Sequence, residues 1–130
     1  MRIIPRIVLF SLVSITVLTV AIVKNFGQPI VTVPGVYESF TVGKGSGDLE
    51  GMRVVIFSAG GGYYAIVQIA QGGAEDPKPV FVPADIKGRS VSFSVGDDKY
   101  TGMVTAGDLT LKEGSGELHL KRKACSSYFR

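Results

Sequence analysis

The sequence predicts an all-β fold, a small antiparallel meander barrel or sandwich of about seven to eight strands, preceded by one N-terminal hydrophobic helix. Three observations predict it. A single long apolar run occupies residues 7–23, and no later window of ten or more residues has helical periodicity. The remaining chain instead shows short runs with period-two alternation, and most of its 17 glycines separate those runs.

The apolar run is seventeen uncharged residues long, with Arg2 and Arg6 before it and Lys24 after it. This is the pattern of a secretory leader, but it exceeds the roughly 7–15 residues of a signal-peptide core. It just reaches the roughly 17–25 residues that span a bilayer. Residues 1–27 are therefore expected to be either a signal anchor or a cleaved signal peptide, and we favour the anchor because no cleavage site stands out.

The orientation follows from the flanking charges. Two arginines and the amino terminus outweigh one lysine, and positive charge stays in the cytoplasm. We therefore expect a single-pass protein of the cytoplasmic membrane with its C-terminal domain outside, in the periplasm or secreted if the leader is removed. The membrane is a partner through residues 7–23.

Behind this segment the sequence divides into three parts. Residues 28–36 hold Pro29 and Pro34 and are expected to be an extended linker. Residues 37–123 form the antiparallel β domain, and residues 124–130 a C-terminal tail. Four strands are expected in the first half of the domain, at 37–42, 52–58, 63–70 and about 79–83, with the prolines confining the last one to an edge.

The second half of the domain has the clearest pattern. Val91, Phe93 and Val95 alternate with serines, so one face of that strand is expected to meet water. Short turns at 96–98, 106–107 and 113–116 separate three further alternating runs. Loops this short force antiparallel neighbours, and residues 90–123 are therefore expected to be a four-stranded meander.

The charge distribution argues against nucleic acid as a partner. The whole chain has a formal charge of +3, but three of its fourteen basic residues precede residue 28. Residues 28–130 contain eleven basic and eleven acidic residues, so this part of the chain is neutral. It lacks the excess of positive charge that binding to nucleic acid by counterion release requires. Cys125 is the only cysteine, which excludes an intramolecular disulfide and leaves its role open.

One hairpin differs from the others because its strands are apolar on both faces. They are VVIF at 54–57 and YAIVQI at 64–69. Either both faces are covered by the rest of the domain, which is the commoner arrangement, or one face is offered to a partner. In an eight-stranded barrel the outer face is wet, which would favour a binding patch. Tyr63, Tyr64 and Ile66 are the candidate partner-binding residues.

The usual catalytic and ligand-binding patterns do not occur. His119 is the only histidine and lies on the polar side of an alternating strand, where a surface role is expected. The glycine-rich segments lack the spacing of a phosphate-binding loop. The acidic pairs Glu75-Asp76 and Asp97-Asp98 are adjacent in sequence and are expected to be solvated turn residues. No catalytic, cofactor-binding or metal-binding residue is predicted, and no cofactor is expected.

These observations favour a non-catalytic binding or structural module of the cell envelope. Its expected partner is an envelope protein or polymer, and a homo-oligomer remains open. Two alternatives are an inhibitor or immunity protein of an exported enzyme, with loops 43–51 or 72–78 as the inserting element, and a carrier that encloses a small apolar ligand.

Overall fold

A computed structural model describes residues 30–73 and 76–124, which form one closed antiparallel barrel. Its strands are β1 (Gly35–Glu38), β2 (Thr41–Val42), β3 (Leu49–Ala59), β4 (Gly62–Gln71), β5 (Val80–Lys87), β6 (Ser90–Val95), β7 (Asp98–Val104), β8 (Asp108–Glu113) and β9 (Gly116–Lys123). Consecutive strands pair from β3 to β9, and β1 pairs with both β9 and β3, which closes the sheet. The predicted all-β meander is confirmed, and its form is a barrel.

β1 and β2 act as one strand, so the barrel has eight strands. Glu38 pairs with Arg53 and Thr41 pairs with Glu50, which is one continuous register against β3. The interruption lies opposite Gly51, whose φ is 119°. A side chain there would also collide with the backbone, because its Cβ would stand 2.6 Å from the carbonyl oxygen of Ser39. Gly51 therefore permits the kink that divides this strand.

Alternate residues of β3 to β9 point into the barrel and fill it together with Tyr37 of β1, whereas both residues of β2 are exposed. Leu109, Leu111, Leu120 and Val54 are fully buried, and Phe93 stacks on Tyr100 from the neighbouring strand with ring centroids 5.3 Å apart. The rest of the interior cluster is apolar as well: Val33, Tyr37, Met52, Ile56, Ala65, Val67, Val82, Val91 and Val104. The interior is thus a packed core, as expected for a barrel of eight strands.

The barrel has two distinct ends. At the first, which we call the entry end, the chain comes in at residues 31–34, and the turns β3–β4, β5–β6 and β7–β8 lie there with the last residues of β9. At the second, the far end, lie the loops β2–β3 and β4–β5 and the turns β6–β7 and β8–β9. The strict up-and-down order of the strands places successive connections at alternate ends.

The entry end is closed by Tyr37 and Arg122. The Tyr37 hydroxyl donates to the Val33 carbonyl at 2.6 Å, and the Arg122 guanidinium lies over the Tyr37 ring, 4.8 Å from its centroid. Arg122 also donates to the Tyr37 hydroxyl and to the carbonyls of Thr32 and Pro34. Val33 is buried in the core, and β1 begins at Gly35, so the end of the predicted linker already packs as part of the barrel.

The meander predicted over residues 90–123 is confirmed as β6 to β9. Its tightest point is Gly102 on β7, where a Cβ would stand 2.1 Å from the carbonyl oxygen of Thr110 and 2.9 Å from Leu111. Only glycine permits this approach of β7 and β8, which allows the sheet to coil tightly around the core.

The strand predicted at 79–83, which its prolines were expected to confine to an edge, is part of a longer strand that as a whole does not lie at an edge of the sheet. β5 continues to Lys87 and has neighbours on both sides. However, its partners change along its length, because residues 80–84 pair with β4 and residues 85–87 pair with β6. Pro83 falls in the part that β6 does not pair, so the segment that contains the proline has a neighbouring strand on one side only.

Two sequence predictions lie outside the described residues. They are the hydrophobic helix predicted within residues 1–27, and the C-terminal tail from residue 125 onward, which contains Cys125. Within residues 30–73 and 76–124 there is no helix of the length and apolar character that a membrane crossing requires.

Candidate binding surface on the barrel wall

The β3–β4 hairpin, whose strands are apolar on both faces, has its second apolar face on the outer wall of the barrel. Cross-strand pairing extends this face to neighbouring strands. One row contains Val55, Ile66 and Phe81 and continues on β1 with Val36, which is itself buried, and a second row contains Phe57, Tyr64 and Pro83. The residues between them, such as Val54 and Val67, point inward and are buried. The accessible outer wall of β3, β4 and β5 is therefore apolar over two rows of residues, and the buried Val36 adjoins it on β1.

Three aromatic rings form the centre of this surface. Tyr64 and Phe81 are stacked with centroids 5.2 Å apart, and Phe57 lies 6.1 Å from Tyr64 and 6.0 Å from Phe81. Phe81 is 61% exposed, whereas Phe57, Tyr64 and Ile66 are half-buried. We call these four residues the outer aromatic patch. Their mutual contacts hold the rings in one arrangement while leaving one face of the cluster to solvent.

A polar row borders the patch on the side towards the far end. The Arg53 guanidinium contacts Glu38 Oε2 through both Nε and Nη2 at 2.7 Å, and its Nη1 donates to Gln68 Oε1 at 3.2 Å. Gln68 Nε2 in turn donates to the carbonyl of Pro77 at 3.0 Å. Arg53 also lies over the ring of Phe40, 5.0 Å from its centroid. This network gives the patch an ordered polar rim.

The wall formed by β5 to β9 is polar instead. Two cross-strand rows follow it, the first of Asp85, Ser92, Thr101, Lys112 and Glu117, and the second of Lys87, Ser90, Met103, Thr110 and His119. An open groove of about 470 Å³ lies among them, and Met103 is 50% exposed there. The contrast between the two walls shows that the apolar wall is a local feature of β1 and β3 to β5.

The structure brings two of the three predicted binding residues together. Tyr64 and Ile66 both belong to the outer aromatic patch. Tyr63 has the opposite orientation, with the inward-pointing residues of β4, and lies near the entry end with 39% of its surface exposed. Phe57 and Phe81 were missed as candidates. Phe57 could have been found, because the glycine turn after it sets Phe57 opposite Tyr64.

The remaining polar candidates are arranged as surface groups. His119 is exposed, with Nδ1 3.2 Å from the Thr110 hydroxyl and Nε2 3.1 Å from Glu117. Asp97 and Asp98 are exposed at the turn before β7, and Glu75 lies outside the described residues. Across the described part of the chain, no group of three or more histidine, cysteine and carboxylate side chains is placed to hold a metal ion.

Two buried tyrosines have altered acidity. Burial raises the pKa of Tyr37, an effect that the charge of Arg122 partly offsets. Burial also raises the pKa of Tyr100, and the neighbouring carboxylates of Glu113 and Asp98 raise it further. Both shifts favour the neutral phenol, so neither tyrosine is prepared for acid–base chemistry near neutral pH.

Comparison of the chain with protein-family models, with curated proteins and with solved structures gives no match. The fold and the arrangement of the two walls are therefore the basis for the functional proposal that follows.

Proposed function

We propose that this protein is a non-catalytic binding module of the cell envelope, held at the cytoplasmic membrane by residues 7–23 with its barrel on the outer side. The barrel contacts an envelope protein through the outer aromatic patch. The membrane location is supported by the charges that flank the apolar segment, and the binding role by the composition of the barrel wall.

The observation that carries this proposal is the exposure of clustered aromatic rings on a closed barrel. A small barrel completes its core on the inside, and a Phe81 side chain that is 61% exposed on the outer wall contributes little burial to folding. Clustered aromatics with a polar rim are typical of the centre of a protein interface, where they provide much of the binding energy. The hydrogen-bonded network of Glu38, Arg53 and Gln68 supplies the polar rim on one side of the patch.

The packed interior favours this role over that of a ligand carrier. A carrier of small apolar molecules needs space inside the barrel, as lipocalin-like barrels have. Here Tyr37, Phe93 and Tyr100 occupy the interior together with branched aliphatic side chains. Native mass spectrometry of the purified chain is expected to show no bound apolar ligand.

Site-specific photo-crosslinking in intact cells tests the binding role. A photoreactive phenylalanine derivative replaces Phe81 in one variant and Met103 in the other. The two positions are both exposed and apolar, but Phe81 lies on the apolar wall and Met103 on the polar wall, two strands away on β7. We expect a discrete crosslinked protein from position 81 and none from position 103, with both variants showing the circular dichroism of the native barrel.

Two substitutions complete the test. Phe81→Lys is expected to abolish the adduct formed from a probe at Ile66, because it places a charge in the centre of the contact, whereas Met103→Lys is expected to leave it unchanged. Equal crosslinking from both walls, or an adduct at Ile66 that survives Phe81→Lys, would refute the patch as the binding surface.

A second candidate function is supported by the far end of the barrel. Loops 43–51 and 72–78 are the candidate inserting elements of an inhibitor. The backbone N–H of Gly72 donates to the Leu49 carbonyl at 3.1 Å, so the end of the first loop lies beside the start of the second. A photo-crosslinker at Gly45, where no neighbouring atom lies within 4 Å of an added Cβ, reports on this end. An adduct from Gly45 and none from Phe81 would favour the inhibitor.

A further inference from the structure

The two ends of the barrel carry opposite charge. The entry end has five basic residues and two acidic ones: Lys87, Arg89, Lys121, Arg122, Lys123, Asp85 and Asp108. The described part of the far end has four basic residues and seven acidic ones: Lys44, Lys78, Lys99, Lys112, Asp48, Glu50, Asp76, Asp97, Asp98, Glu113 and Glu117. Glu38 and Arg53, between the ends, pair with each other. The described chain is therefore neutral as a whole but strongly polarised along the barrel.

Backbone contacts gather the basic residues of the entry end onto one rim. The Val104 N–H donates to the Arg89 carbonyl at 2.9 Å, which joins the β5–β6 turn to the end of β7. The Arg122 N–H donates to the Gly107 carbonyl at 2.7 Å, which joins the β7–β8 turn to the end of β9. The basic side chains thus project from adjoining segments of one surface.

Most of these charges remain available to a partner. Lys87, Arg89, Lys121 and Lys123 are exposed, whereas Arg122 is occupied in closing the barrel. Lys87 does contact Asp85, with 3.3 Å between Nζ and Oδ2, but the two side chains are 83% and 62% exposed. A pair this exposed is weak and exchanges readily for another anion.

We infer that the entry end binds a surface of anionic phospholipid headgroups. The positive charge of the rim is complementary to the negative charge of these headgroups. Each lysine or arginine brought close to such a surface increases the affinity roughly fivefold. The connectivity of the chain agrees with it, because the barrel's own chain comes in at the entry end with Val31 and only residues 24–30 separate Val31 from the apolar segment, a chain length of at most about 29 Å.

This inference concerns the orientation of the barrel and is separate from the tether. A tether alone would hold the barrel near any bilayer, in any attitude and regardless of lipid charge. Binding through the basic rim would instead turn the acidic far end away from an anionic membrane. The outer aromatic patch, on the wall between the two ends, would then face sideways, where another envelope protein can reach it.

The test uses the full chain with Cys125→Ser and a single new cysteine that carries a fluorophore. The label stands at Ala106→Cys on the entry-end turn or at Ser115→Cys on the far-end turn, both exposed positions. Vesicles contain a nitroxide headgroup quencher in phosphatidylcholine, with or without added phosphatidylglycerol. Two charge variants are compared, Lys87→Glu with Arg89→Glu at the entry end, and Lys78→Glu with Lys99→Glu at the far end, which change the net charge equally.

We expect phosphatidylglycerol to increase quenching of the Ala106 label and not of the Ser115 label. The entry-end charge variant should lose this increase, because its rim is expected to bind the anionic surface about tenfold or more weakly. The far-end variant should keep the increase. Raising the salt from 0.1 M to 1 M should remove the increase, because the screening length falls from about 10 Å to about 3 Å.

The outcomes separate this inference from the tether. Association with both kinds of vesicle, but with no lipid or charge dependence of quenching, overturns the inference and leaves the tether standing. Association with phosphatidylglycerol vesicles alone, quenched at Ala106, supports the inference and contradicts the tether. Failure to bind either vesicle, or equal effects of the two charge variants, overturns the inference.

Discussion

Gly102→Ala is expected to destabilise the barrel through a single added methyl group. The new Cβ would stand 2.1 Å from the Thr110 carbonyl oxygen, whereas a Cβ essentially never approaches another heavy atom within 3.0 Å. β7 and β8 would have to separate by about 1 Å where Gly102 pairs with Leu111, a fully buried residue. Overpacking of this kind costs about 2–3 kcal/mol, which lowers the melting temperature of a domain of this size by roughly 10–20 °C.

Thermal and denaturant unfolding followed by circular dichroism measure this loss. Gly107→Ala is the matched control, because an added Cβ at Gly107 meets nothing within 4 Å and its φ is not positive. It should change the free energy of unfolding by less than about 1 kcal/mol. If Gly102→Ala were as stable as Gly107→Ala, β7 and β8 would not approach each other as closely as described at Gly102. The tight coiling of the sheet inferred from that approach would then be refuted as well.

Three further predictions concern side chains that hold the barrel together. Tyr37→Phe removes the hydrogen bond to the Val33 carbonyl and is expected to lower the free energy of unfolding by about 1–2 kcal/mol, whereas Tyr63→Phe, at an exposed residue, should have little effect. The raised pKa values of Tyr37 and Tyr100 predict stability that is fully present below the unfolded-state pKa of 10.0 and is lost as pH rises through the folded-state values. Denaturation measured against pH should show this alkaline loss, and the double variant Tyr37→Phe with Tyr100→Phe should flatten it. A double-mutant cycle of Glu38→Gln and Arg53→Met should give a coupling free energy of about 1 kcal/mol, and a value of zero would show that the pair is not formed in solution.

The second half of the fold could be predicted because its information is local. In β6 to β9 each strand alternates strictly and each connection is a short turn with glycine or acidic residues. Period-two alternation fixes which residues face the core, and the turn length fixes the neighbour. Val91, Phe93, Leu109 and Leu111 accordingly occupy the buried face that the sequence assigns to them.

Closure of the sheet could not be predicted in this way. It depends on β1 pairing with β9, which joins Val36 to Lys123 across almost the whole domain. No local pattern specifies a contact of that separation. The outer aromatic patch could not be predicted in full for the same reason, because one of its cross-strand pairs is not fixed by local sequence. The partnership of Phe57 with Tyr64 follows from one turn, but the partnership of Ile66 with Phe81 crosses loop 72–79, and nothing in that loop sets the register.

The closing seam also constrains when the barrel can form. β1 meets β9 through only three residue pairs, whereas β3 meets β4 through ten. The backbone ladder at the seam is therefore short, and Arg122 reinforces it by reaching past the start of β1 to the carbonyls of Thr32 and Pro34. Hairpins of short loop length can form early, but this seam needs residues 36–38 and 121–123 together. If residues 7–23 export the chain as proposed, the barrel can close only after nearly the whole domain has crossed the membrane.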